Sequence, residues 1–337
     1  MKSLVYYFAV ILAVLLFARA LEAREKDNKP IGMAVEFTDH AACAHIARNK
    51  GWFKDEGLNV TSFDNYLTGM ALSAALTRGD INVAYICLIP AISAYANGKV
   101  PLKVVAGTHK YGYGLLVDPN KITTVKDLEK PGIRIGCPRA GGPLDVLLHK
   151  MIDKYDLNER HFPGKIRRMS PSKVFLALKM GKLDAAFCCE QFPTMGEALG
   201  FKVLLTSQDL WPDMQGSVLI VKEELLRDHP EIVNKLVAVT ERGIQYINQH
   251  PDEAAKIAAQ ELSLSGGRVF TLGIEKNTAD LDITPGVIFR SLTTRMKFTT
   301  DVDQVKVQEY IDYMAGLGYI NRFKAEEILD LRFLNND

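Results

Sequence analysis

Short apolar runs alternate with amphipathic stretches along this chain, and partway through it the alternation starts again. In the first pass, residues 31–37, 58–63, 81–87 and 100–106 read as strands. Helices over 41–50, 70–77 and 89–96 lie between them, the first two stopped by Gly51 and Gly79. Strands alternating with helices predict a mostly parallel sheet covered on both faces. The second pass places strands at 114–117, 133–137, 166–169, 185–189 and 202–206. Its helices fall at 142–154, 172–179 and 194–199, with a short helical piece at 125–128 after Thr124. Another strand follows at 217–221. Helical spacing then dominates, over 223–227, 230–249, 252–262 and 302–317, while 266–290 carries mixed signals and no element is assigned there. The second α/β unit is therefore inserted within the first. The expected fold is α/β with two lobes, each a mostly parallel sheet flanked by helices, and a cleft between them. The boundaries expected are 27–110 for the first part of lobe one, 111–213 for lobe two and 214–337 for the rest of lobe one with the C-terminal helices. The chain should cross between lobes near 109–114 and 211–216.

Residues 1–23 have the three-part plan of a secretory leader. A positive start at Met1–Lys2 precedes an apolar run over 4–18, and small residues follow at Ala18, Ala20 and Ala23. The run is shorter than the ~20 residues of a membrane span. Cleavage after Ala20 or after Ala23 fits, and no cysteine stands there to carry a lipid. The chain is expected to be exported to the periplasm. Its 41 Lys and Arg balance 40 Asp and Glu, so nothing favours nucleic acid or an anionic membrane surface as a partner. The five cysteines match no disulfide framework and no zinc spacing. No metal and no cofactor are expected.

Five stretches in order carry a family resemblance. They are HIARNKGWFKDEGLNV (45–60), TGMALSAALTRGDINVAY (68–85), VKDLEKPGIRIG (125–136), GKLDAAF (181–187) with Glu190 just after, and LWP (210–212) followed by LIVK (219–222) and DHP (228–230). Together they resemble the periplasmic solute-binding proteins of nitrate, taurine and alkanesulfonate importers, a superfamily shared with thiamine-pyrimidine binders and pyrimidine synthases. The resemblance spans roughly residues 30–262. It implies a two-lobed periplasmic-binding-protein fold that closes around a small molecule. The implied partners are that ligand and the membrane subunits of an ABC importer, with the chain acting as a monomer.

Ligands of open α/β sheets sit beyond the carboxyl ends of the strands. Applied here, that rule selects Thr38, Asp39 and His40 after the first strand, and Tyr66, Thr68, Gly69 and Met70 after the second. It adds Cys87 after the third, and Cys189 and Glu190 in the second lobe. The crossings offer His109, Tyr111 and Trp211. The loop Arg139, Ala140, Gly141, Gly142 is the anion candidate, because a guanidinium can fork onto an oxyanion and glycines allow close backbone approach. Pro143 removes one possible N–H donor there. Each of these residues also has a structural explanation, as a cap, a surface charge or a buried thiol.

Two ligand classes stay open. One is a small organic anion or zwitterion such as a sulfonate, taurine or nitrate. The other is a heteroaromatic such as a thiamine pyrimidine precursor or a flavin-like ring, suited to the thiols and rings. Catalysis is not expected: no nucleophile–base pair can be argued from spacing, and Cys188–Cys189 is a faint echo of the synthases' cysteine motif, interrupted by Glu190 and Gln191. A sensor input module built on the same lobes would need a partner for its output.

Overall fold

The structure is a computed structural model and describes residues 29–79, 81–271 and 283–334. The leader read at 1–23 lies outside the described residues. In chain order the strands are β1 (Ile31–Glu36), β2 (Val60–Tyr66), β3 (Val83–Cys87), β4 (Leu102–Gly107), β5 (His109–Tyr111) and β6 (Tyr113–Val117). They continue with β7 (Ile135–Gly136), β8 (Ile166–Arg167), β9 (Ala185–Cys189), β10 (Lys202–Thr206), β11 (Ser217–Lys222) and β12 (Met296–Phe298). The longer helices are α1 (Ala42–Asn49), α2 (Gly69–Arg78), α3 (Leu88–Ala96), α4 (Pro143–Lys154) and α5 (Pro171–Lys179). After them come α6 (Phe192–Ala198), α7 (Pro230–Gln249), α8 (Pro251–Thr271), α9 (Pro285–Thr294) and α10 (Gln304–Gly316).

Two five-stranded sheets form, in the orders β2-β1-β3-β11-β4 and β10-β6-β9-β7-β8. In each, four strands run one way and one runs back: β11 in the first sheet and β6 in the second. β1, β3 and β9 are buried at every position. A central strand covered by helices on both faces requires that, and it explains their unbroken apolar runs. β2, at an edge, is half-exposed and carries polar residues at Thr61, Ser62, Asp64 and Asn65. Local chemistry sets the helix ends. The Thr68 hydroxyl accepts from Ala71 N–H (3.1 Å) at the start of α2, and Gly79 ends it with φ of 106°. Pro143 and Pro171 occupy first turns, where a missing N–H costs nothing.

Some elements differ from the sequence expectation. β7 and β8 shrink to two residues each. Ile133 belongs to the preceding turn, bonding Lys130, and both the backbone and the guanidinium of Arg134 are taken by Asp184 at 2.8–2.9 Å. The first crossing is not a loop. It contains β5, which pairs antiparallel with β12, and Lys110 bridges Gln215 of the second crossing. The unassigned stretch 266–290 includes the end of α8 and the first part of α9. α9 packs on α8 of lobe one and on α6 of lobe two, so the C-terminal segment bridges both lobes.

His45 lies on the buried face of α1, fully covered, with no hydrogen-bond partner for either ring nitrogen. Desolvation, then the nearby Arg48, pushes its pKa from 6.5 down to about 3. The unfolded chain therefore takes up a proton before the folded one does. The stability due to this residue is present above pH 6.5 and is lost as pH falls toward 3. We predict that His45→Leu raises the melting temperature by about 2–4 °C, the shift that roughly 1 kcal/mol gives in a chain of this size. It should also flatten the acid side of a stability–pH curve. A melting profile identical to wild type at pH 7 and at pH 5 would refute this.

Candidate functional site

Strand ends from the two sheets face one another, and a cavity of about 50 Å³ lies where they meet. Space of that size holds a few water molecules, at about 10–15 Å³ each. Lobe one supplies Glu36 from the end of β1, Thr68, Gly69 and Met70 from the entry to α2, and Cys87 from the end of β3. Lobe two supplies Tyr113 from the start of β6, Pro138, Arg139 and Gly142 before α4, and Pro143 and Leu144 at its start. It also supplies Pro171 at the start of α5 and Cys189 at the end of β9. Of the residues selected from the sequence, Thr68, Gly69, Met70, Cys87, Arg139, Gly142 and Cys189 meet here.

Cys87 is the centre of a buried network. Its N–H and thiol donate to the two Glu36 carboxylate oxygens at 2.7 and 3.1 Å, and the Tyr113 hydroxyl donates to its sulfur at 2.9 Å. His40 Nε2 lies 2.8 Å from the Gly112 carbonyl, which fixes that nitrogen as the N–H and leaves Nδ1 bare, 3.7 Å from Cys87 Sγ. Burial drives the network toward its neutral forms. It raises the Glu36 carboxyl, with the bonds from Cys87 pulling back, and lowers His40 to about 4. It also raises the Cys87 thiol, helped by the adjacent Glu36. A cysteine, an imidazole and a carboxyl thus come together, a juxtaposition the spacing did not show, yet the thiol is held protonated and is a poor nucleophile.

Glu36 and Tyr113 were not selected from the sequence. Glu36 is the polar end of an otherwise apolar buried strand, and that mismatch was the available signal. Tyr113 begins the reversed strand, so a rule about carboxyl ends passes over it. Gly69 lets the Glu36 carboxylate sit against the start of α2. A Cβ at 69 would stand 2.3 Å from Glu36 Oε1 and 2.6 Å from Pro90 Cγ.

The loop at 139–142 is organised differently from the anion cradle anticipated. Gly141 N–H donates to Asp145 of the same helix (2.9 Å), and Gly142 N–H to the Arg139 carbonyl (3.1 Å). Asp145 is buried and also holds Arg168 (2.5 Å) and the Tyr319 hydroxyl (2.5 Å). The positive end of α4 is therefore answered by its own carboxylate. Arg139 is exposed, and its guanidinium has no partner among the described residues. Ala140 is exposed and Gly141 is buried against the Tyr319 ring.

The other selected residues do not line this cavity. Thr38 accepts from His40 N–H as a cap. Asp39 and Glu190 are fully covered side by side between the lobes, and burial raises both, Glu190 to about 7. His109 stacks beside His40 with ring centres 4.5 Å apart. Tyr66 ends the edge strand β2, and Tyr111 sits in β5 with φ of 70°. Trp211 stacks on Tyr310 at 4.3 Å, under the Lys150 ammonium, so its ring is spent on packing the C-terminal helix against lobe two.

Lobes, reversed strands and a cleft at the strand ends define a periplasmic-binding-protein fold. Solved structures share it. The alkanesulfonate-binding protein SsuA of Xanthomonas axonopodis bound to MOPS superposes with a TM-score of 0.73 at 17% identity, over 90% of this chain and 98% of that one. The nitrate-binding protein NrtA of Synechocystis gives 0.70 at 15%, over 90% and 86%. The ligand-binding component of an ABC-type import system from Staphylococcus aureus gives 0.72 at 17%, over 91% and 98%. Proteins of Brucella abortus and Brucella suis, named only as binding proteins, are 26% identical over 253 residues, 73% of this chain and 75% of theirs. Residues 23–263 match the NMT1-like family, and the chain belongs to it.

Gly69→Ala should force the Glu36 carboxylate off Cys87 and cost about 1–3 kcal/mol, the usual penalty for overpacking a closed site. Urea denaturation measures it, and unchanged stability would show that Glu36 is not held as described.

Proposed function

We propose that this chain is an extracytoplasmic solute-binding protein that delivers a small zwitterion to the membrane subunits of an ABC importer. The observation that carries the reading is the cavity walled by both lobes at their strand ends, with a buried carboxyl on one wall and an unpaired guanidinium at its mouth. A sulfonate or carboxylate end of the solute faces Arg139, and an N–H-bearing end points inward past Glu36. A bare anion such as nitrate suits this cavity less well, since the loop amides and the start of α4 are already taken by Asp145. The import, sulfonate and nitrate proteins with the same fold support the transport role. The protonated thiols support capture over catalysis. One chain supplies every wall of the cavity, so a monomer suffices. With so little free space in the closed form, the solute enters while the lobes are apart and is enclosed as they swing together.

A second reading rests on the lining itself. Met70, Cys87, Cys189, Tyr113, Leu144 and three prolines make a soft, mostly apolar wall. A heteroaromatic such as a thiamine pyrimidine precursor would fit it, with a ring N–H on Glu36.

Native mass spectrometry of the freshly purified full chain identifies a retained solute, and calorimetry then gives its affinity. We expect Arg139→Ala to weaken binding about tenfold or more, the loss expected for one charge-assisted hydrogen bond. Unchanged affinity would remove the anionic end from the reading and leave the heteroaromatic in its place.

A further inference from the structure

Five buried polar atoms without a hydrogen-bond partner gather at one place between the lobes. They are both carboxylate oxygens of Asp39, Gln191 Nε2, Ser291 Oγ and Arg295 Nε. Three separate parts of the chain supply them. Asp39 follows β1 in lobe one, Gln191 follows β9 in lobe two, and Ser291 and Arg295 come from α9 and its end. The groups are close. Asp39 N–H donates to Gln191 Oε1 at 3.2 Å, and Arg295 Nε stands 3.9 Å from Glu190 Oε1. Asp39, Gln191 and Ser291 are each fully buried. A dry, unpaired polar group in a protein interior is costly, and natural structures rarely leave several together. Such a set calls for a polar partner beyond the described side chains.

The charges around it say what. Arg295 is bound through Nη2 to Glu197 at 2.6 Å, and Arg290 reaches the same carboxylate at 2.7 Å. Both guanidinium groups are paired with Glu197, and Arg295 also faces Glu190; Asp39 lies beside Glu190 with no ion pair among the described residues. Glu190 has its other oxygen satisfied by the Thr194 hydroxyl at 2.8 Å. His40, next in sequence to Asp39, is spent on Gly112 and is held neutral by burial. With only the Ser291 hydroxyl beside Asp39, burial and the adjacent Glu190 raise its carboxyl and hold it protonated. Among the described residues no group of three His, Cys, Asp or Glu side chains has metal-binding geometry. A cation that brings its own N–H donors would supply the partner Asp39 lacks and return it to its ionised form.

We propose that this junction is a subsite for a protonated nitrogen, an ammonium or amidinium group, which bridges Asp39 of one lobe and Glu190 of the other. Cys189 lines the cavity described above, and Glu190 is the next residue, so the junction lies just behind that wall. Asp39 and Gln191 belong to opposite lobes, and parting the lobes opens the junction into the cleft. Burial raises the Asp39 and Glu190 carboxyls, and the neighbouring Glu190 raises Asp39 further. Taken with the solute-binding reading, on which this step rests, the nitrogen is the inward end of the solute, and its binding helps to shut the lobes.

The test uses the full chain, stripped of any retained solute by unfolding and refolding. Melting is followed with methylammonium chloride and with sodium chloride at equal ionic strength. Methylammonium should stabilise the wild type beyond sodium, and Asp39→Asn or Glu190→Gln should abolish the difference. Asp39→Asn should also melt higher than wild type when no amine is present, because it removes a carboxyl that burial forces to take up a proton on folding. Calorimetry then compares taurine with isethionate, which differ only in an ammonium against a hydroxyl. Taurine should bind at least tenfold tighter in wild type, with the preference erased in both variants. Equal effects of methylammonium and sodium on the wild type would overturn the subsite, as would an ammonium preference that survives Asp39→Asn. A methylammonium response that persists while no solute of any class is retained or closes the lobes would keep the subsite and sink the transport reading instead.

Discussion

Backbone pairing between the two chain crossings holds this molecule in its shape. The amide of Gly216 donates to the His109 carbonyl (3.0 Å), that of Thr108 to Ser217 (3.0 Å), and that of Tyr111 to Met214 (2.9 Å). The His109 ring lies flat on residue 216, where a Cβ would stand 2.2 Å from the ring, so only glycine allows the approach. With β12 added on the far side of β5, the connection becomes a short ribbon instead of two independent tethers. A ribbon bends but does not let the lobes drift. It therefore keeps the forward strands' carboxyl ends, and the amino ends of β6 and β11, turned toward a common gap. The cavity, the Cys87 network and the Asp39–Glu190 junction all lie in that gap.

That placement sets stability against function. Interiors tolerate carboxyls only when they are paired or neutral. Glu36 meets the condition through two bonds from Cys87, and its neutral form is favoured by burial. Asp39 meets it only by being held neutral, raised by burial and by the adjacent Glu190, with no ion pair among the described residues. Asp145, by contrast, accepts from Gly141 and Tyr319 on one oxygen and holds the Arg168 ion pair on the other, and belongs to the support of the loop. Three buried acids within one interlobe region thus have three different fates, and the number of partners each has separates structure from binding.

Much of the architecture was legible in the amino-acid pattern, because it is local. Apolar runs of five to seven residues, glycine stops and proline starts mark nearly every strand and helix, and the return of a strand at 217 after the second unit reveals the insertion. The strand-end rule brought Thr68, Gly69, Met70, Cys87, Arg139, Gly142 and Cys189 to one cavity for the same reason. What was not legible depends on partners distant in sequence. Nothing near Gly141 says that its amide is claimed by Asp145, or that Asp145 is held by a tyrosine 174 residues further on. Trp211 looked like a stacking surface for a solute until Tyr310 occupied its face. β5 is too short for any periodicity and exists because β12 lies alongside it. Glu36 was passed over because it falls inside the strand read at 31–37, and the strand-end rule selects the residues that follow a strand.

The family match ends at residue 263, yet groups beyond it reach the gap between the lobes. Ser291 and Arg295 stand at the junction beside Asp39. Arg290 and Arg295 grip Glu197 of lobe two. Tyr313 donates to Asp153 of α4 (2.6 Å), and Tyr319 reaches Asp145 at its start. These contacts are tied to the closed arrangement, since each joins the C-terminal segment to lobe two across the boundary. The forward strands' ends are made within the matched region, while β12, which completes the ribbon at the crossings, and Thr300, whose carbonyl accepts from Gly107 at the end of β4, lie beyond it. The segment after residue 263 thus supports the hinge as well as the contacts to lobe two. Differences in solute among proteins of this fold would accordingly follow changes around residues 285–319 as much as changes in the cleft loops themselves.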